Sequence, residues 1–82
     1  MLNESQQAQL DAVVGELGGD IFVESARFDT QTLELVLCRE FVCFRPLHIT
    51  EREVDITAAL TGDVIAQQAL GKHLQSKLEG LL

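Results

Sequence analysis

Apolar positions change period twice along this chain, from helical to alternating after Gly18-Gly19 and back to helical beyond Thr50. Leu10, Val13, Val14 and Leu17 recur at helical spacing, with Gln7, Gln9, Asp11 and Glu16 on the opposite side. Asn3 and Gln6 stand at capping-box spacing, and Gly18-Gly19 supplies a left-handed stop, so the pattern predicts a helix over 4–17. Ile21-Phe22-Val23 and Phe28 then bracket a polar-interrupted strand over 20–28. Asp29-Thr30 is a turn, because Asp hydrogen-bonds its own following backbone. Over 31–38, Leu33, Leu35 and Leu37 alternate with Thr32, Glu34 and Val36, the period of a strand.

The run continues through Arg39 to Pro46, and unbroken from Gln31 it would be long for one strand of a small sheet, so a tight reversal is expected at Arg39-Glu40. That register pairs Cys38 with Phe41, Leu37 with Val42, Val36 with Cys43 and Leu35 with Phe44. One face then carries Leu33, Leu35, Leu37, Val42 and Phe44. The other carries Val36, Cys38, Phe41 and Cys43, flanked by a Glu34–Arg45 ion pair. Pro46 ends the strand, having no amide for a ladder. Thr50 and Glu53 form a second capping box opening a short helix through Leu60; Val54, Ile56 and Thr57 also fit a strand, and Ala58-Ala59-Leu60 favours helix. Asp63 caps a last helix striped by Ala66, Leu70, Leu74, Leu78 and Leu81, with His73 and the Lys77 stem beside the stripe and a frayed end at Gly80. The expected fold is α+β, in the order αβββαα, with helices covering one face of a three-stranded antiparallel meander and residues 1–82 forming a single small domain.

Both faces of that hairpin are apolar, whereas a sheet with one solvated face alternates apolar and polar positions. A chain of 82 residues has little of itself to wrap both sides. The second face is therefore expected either under the other helix or against another chain, and burial of that face, or of the leucines of the last helix, against a second chain is the expected arrangement. The interface residues so assigned are Val36, Cys38, Phe41, Cys43, Leu74 and Leu78.

Composition narrows the function classes. Six basic against thirteen acidic residues give a net charge of −7, which disfavours direct binding to nucleic acid or to an anionic membrane. No run is long and apolar enough to span a bilayer, and residues 1–20 lack the basic and apolar regions of a secretory signal, so a cytoplasmic location is expected. Residues 1–41 carry eight acids and two bases and hold −6 of the charge, a skew suited to a basic partner. In the sharpest version of that idea, Glu4, Asp11, Glu16, Asp20, Glu24, Asp29, Glu34 and Glu40 mimic the phosphates of a nucleic acid and block a basic protein.

Chemistry-bearing motifs are sparse. Cys38, Cys43, His48 and His73 are each able to bind zinc, which makes a small Cys/His metal protein a further alternative. They lack the close thiolate knuckle of structural sites, however, and the cysteines read more simply as reduced, buried thiols. A Cys38–Cys43 disulfide is conceivable under oxidation, although nothing in the sequence calls for one. His48 reads as a loop residue and His73 as a helix-boundary one. Ser5, Ser25 and Ser76 lie in no nucleophile elbow, Gly18-Gly19 precedes a strand where a phosphate loop needs a helix, and no cofactor or enzymatic activity is expected. The expected role is a protein-interaction module: a homodimer acting as adaptor, regulator or chaperone for a partner protein not identified by the sequence. Element order and acidity loosely resemble those of small acidic secretion chaperones, which dimerise through a sheet and bind partner segments, though no motif specific to that family is present.

Overall fold

The computed structural model describes residues 2–81. Its elements are α1 (Glu4–Gly15), β1 (Ile21–Phe28), β2 (Thr32–Arg39), β3 (Val42–Cys43), β4 (Leu47–Thr50), α2 (Ile56–Leu60) and α3 (Val64–Leu81). The α+β order of helix, antiparallel strands and helices is the one expected from the sequence. β2 is the centre of the sheet, with β1 on one side and β3 followed by β4 on the other.

Local chemistry explains the boundaries. The Asn3 side chain accepts the Gln6 amide at 2.8 Å, and Gln6 Oε1 accepts the Asn3 amide at 3.1 Å. Gly18 and Gly19 then sit at φ 77° and 67°, a left-handed conformation that other residues adopt at a cost. At the β1–β2 turn, Asp29 Oδ1 accepts the Thr32 amide at 2.8 Å and the Gln31 amide at 3.2 Å. These two donors hold the Asp29 carboxyl below its ordinary pKa.

Leu33, Leu35 and Leu37 of β2 point to the helices and are fully buried, together with Ile49, Leu10, Ile56, Leu60, Leu70 and Leu74. Full burial of each such side chain stabilises by roughly 1.5–3 kcal/mol. Gln67 fastens the helical layer: its Nε2 donates to Gln9 Oε1 at 2.6 Å and to the Ala59 carbonyl at 2.9 Å, joining all three helices. The principal-axis extents are 29 × 24 × 21 Å.

Four local expectations are corrected. The reversal after β2 falls at Glu40-Phe41, one residue later than expected, so Cys38 faces Cys43 and Arg39 faces Val42. Glu40 takes the left-handed position at φ 57°, and Asn or Gly, the residues that advertise such a turn, are absent there. Pro46 interrupts the third lane of the sheet without ending it. Beyond the proline, β4 pairs Leu47 with Leu35 and Ile49 with Leu33, which places His48 on a strand where a loop was expected. The Thr50–Glu53 hydrogen bond, 2.8 Å from the Thr50 amide, closes only a turn; α2 begins at Ile56 behind its own cap, where Asp55 accepts the Ala58 amide at 3.0 Å. α3 continues past Gly80 to Leu81, while Asp63 caps its start as expected, accepting the Ala66 amide at 3.0 Å.

Candidate interaction surface

The side of the sheet away from the helices is set by two irregularities that flank the same stretch of β2. On β1 the pairing shifts between Val23, opposite Leu37, and Ser25, opposite Val36. On the other side, Phe44 bonds Leu37 through its amide at 2.8 Å, and Leu47 then faces Leu35, so two residues of the third lane stand against Val36 alone. Each extra residue reverses the alternation beyond it. On β1 this turns Ile21 and Val23 toward the core and leaves Phe22 on the open face, in register with Cys38. On the third lane it lets both Phe44 and Leu47 reach the core.

The open face is therefore graded along its length. At the Asp29 end it is polar: Thr32 faces Thr50, and Glu34 Oε2 lies 3.7 Å from Arg27 and 3.8 Å from His48. Glu34 pairs with these neighbours in place of the expected Arg45. Toward the Glu40 end the face becomes apolar. Val36 is half-buried, Phe22 keeps 42% of its surface exposed, and Cys38 and Cys43 are joined in a disulfide. The hairpin tip beyond carries Phe41, 101% exposed, and Val42, 67% exposed.

The expected interface residues thus separate into three groups. Val36, Cys38 and Cys43 share the open side of the sheet, but Cys38 is 0% exposed there and, of the three, only Val36 and Cys43 have surface to offer a second chain. Phe41 occupies the turn and does not stand opposite Cys38. Leu74 and Leu78 are 0% and 6% exposed inside the protomer's own core, which leaves none of the α3 leucine stripe at these positions for a second chain. The reduced-thiol reading is overturned: direct cross-strand pairing places Cys38 and Cys43 at a Cα separation of 3.9 Å and bridges them. With both sulfurs so used, the set Cys38, Cys43, His48 and His73 does not assemble, and among the described residues no group of three His, Cys, Asp or Glu is placed around a common point. Phe22 is a residue of this face that the sequence pattern does not reveal, as Val64 and Ile65, 63% and 79% exposed, are on α3. The even-numbered position of Phe22 matches core-facing Ala26 and Phe28, and only the bulge between Val23 and Ser25 turns it outward.

The remaining polar features have local explanations. His73 Nε2 lies 3.4 Å from Glu53 Oε1, with Lys77 Nζ at 3.7 Å from the same oxygen. The Thr50 amide first, and His73 second, hold the Glu53 carboxyl below its ordinary pKa. Of the eight acids of residues 1–41, Glu4 and Asp11 lie on α1 with Glu16 at its end, Glu24 and Glu34 lie on β1 and β2, and Asp20, Asp29 and Glu40 lie in the connections between elements. Between α1 and α3 runs an open groove of about 500 Å³, lined by Ala12, Leu17, Val64, Gly71 and Lys72 among others. Among the described residues no helix is long and apolar enough to cross a membrane. The chain is a small α+β protein with helices on one side of its sheet and a partly apolar face on the other. No protein-family model, curated protein or solved structure matches it.

Proposed function

We propose that this protein is an interaction module that pairs with a second copy of itself through the uncovered face of its sheet. The observation that carries the reading is Phe22, 42% exposed beside Val36 and the Cys38–Cys43 bridge on a face outside the helix-packed core. Charge favours a second copy as the occupant. In a chain of net charge −7, this face holds two acids: Glu34, already matched by Arg27 and His48, and Glu24 at the β1 bulge. Two copies meeting there bring few like charges together and keep α1 with Glu4, Asp11 and Glu16 outside the contact. A twofold arrangement satisfies the requirement that one patch complement itself.

Area sets the strength. A standard stable interface takes about 800 Å² from each partner, and the protomer exposes 5331 Å² in all. The apolar end of the face supplies only part of that area, so the contact must extend over Ser25, Thr32 and Thr50 and hold with modest, concentration-dependent affinity. Static light scattering across a dilution series tests this. The expected mass rises with concentration from one protomer toward two, and Val36→Asp keeps it at one. A wild-type protein that scatters as a single protomer at every concentration would end the reading.

A further inference from the structure

We propose that the Cys38–Cys43 bridge is a thiol-exchange site and that Cys43 is the sulfur that takes the incoming group. The site goes beyond the pairing of copies and stands without it. Both cysteines lie outside the leucine core, on the open face of the sheet. Their exposure is unequal: Cys38 is 0% exposed, whereas Cys43 is open to solvent. Exchange begins when a thiolate approaches one sulfur along the line of the S–S bond and expels the other, so access selects the sulfur attacked. A solvent-open recess of about 370 Å³ adjoins Cys43, lined also by Phe44, Arg45 and Gly80. Arg45, a lining residue of that recess, supplies a positive charge that favours the anionic form of a small thiol entering it. The segment released is small, because β3 is two residues long and its ladder partner is β2 alone.

The chemistry balances with a low-molecular-weight thiol as reductant. Its thiolate forms a new S–S bond to Cys43 as the Cys43–Cys38 bond breaks, and the Cys38 sulfur leaves with the electron pair and takes a proton from water. A second thiolate attacks the outer sulfur of the mixed disulfide, departs as the symmetrical small-molecule disulfide, and leaves Cys43 as a thiolate. Two electrons pass from two small thiols to the bridge, and the small disulfide reverses the sequence.

Reduced glutathione is the probe. Dilute, folded, oxidised protein is exposed to it in native buffer, quenched with acid, and mapped by peptide mass spectrometry. The expected product is a glutathione adduct on Cys43 with Cys38 as a free thiol, in about tenfold excess over the opposite isomer. An adduct on Cys38, an even split, or no reaction in native buffer while the urea-unfolded chain reacts would overturn the assignment. Single variants give a second readout: in Cys38→Ser the remaining Cys43 is expected to alkylate about tenfold faster than the remaining Cys38 in Cys43→Ser. Equal rates in two folded variants count against the site, and if either variant unfolds, trapping in the wild type still decides. Sedimentation mass is read separately. A chain that takes the adduct at Cys43 but stays a single protomer at every concentration removes only the pairing of copies, and a chain that pairs at high concentration but whose bridge is inert when dilute removes only the exchange site.

Discussion

Leu35 and Val36 are neighbours on the central strand, yet they belong to opposite worlds. Leu35 is fully buried between Ala26 of β1 and Leu47 of β4, beneath the helical layer. Val36 is half-buried on the other face, where Ser25 is its partner on one side and a break in pairing lies on the other. The contrast shows how a small sheet divides its labour. One face is completed by the chain's own helices and sets stability, and the other is proposed to be completed from outside.

The largest expected effect tests the covered side. Leu35→Ala removes a side chain that has no room to be replaced, and should cost about 2–5 kcal/mol in a urea unfolding curve. Next comes the bridge, which sits on the open side but constrains the chain before folding. For the short loop it closes, Cys38→Ser with Cys43→Ser should lower stability by about 2 kcal/mol. Equal unfolding midpoints for the wild type in the presence and absence of reductant would show that it contributes nothing.

Glu53 separates the faces by pH, because its partners Thr50, His73 and Lys77 join β4 to α3 on the covered side. Its pKa is lowered in the folded protein, so its contribution is present above the ordinary carboxyl value of about 4.5 and is lost as pH falls through the folded one. Glu53→Gln should therefore destabilise at neutral pH and flatten the acid side of the stability profile, measured by thermal unfolding at stepped pH. Association should be insensitive to this change. The smallest effect belongs to Phe41→Asp: a side chain 101% exposed in a turn should shift stability by less than about 0.5 kcal/mol.

Much of the covered side was legible in the sequence. The Asn3–Gln6 cap, the Asp29 turn, the Leu33/Leu35/Leu37 alternation and the Asp63 cap each follow a local rule, and each stands where the residues place it. The open side was less legible because its features depend on register. A turn at Glu40-Phe41 carries no Asn or Gly signal, and one residue of displacement was enough to oppose Cys38 to Phe41 in place of Cys43. The bulge that exposes Phe22 occurs in an Ile21-Phe22-Val23 run, which is apolar on both parities and so marks no face. Pro46 by its missing amide predicts a terminus, although the His48 and Ile49 alternation beyond it resumes the strand. Leu74 and Leu78 were legible as an apolar stripe, but a stripe alone does not say whether the chain's own sheet or a second protein covers it.

Sedimentation equilibrium of the wild type beside Phe22→Asp, each across a wide range of loading concentrations, tests the proposed division between the two faces most directly. The wild type should move from 9.0 kDa toward twice that mass as concentration rises, while Phe22→Asp keeps its fold by circular dichroism and stays at 9.0 kDa throughout. A wild type fixed at 9.0 kDa, or a folded Phe22→Asp that associates as strongly as the wild type, would contradict it.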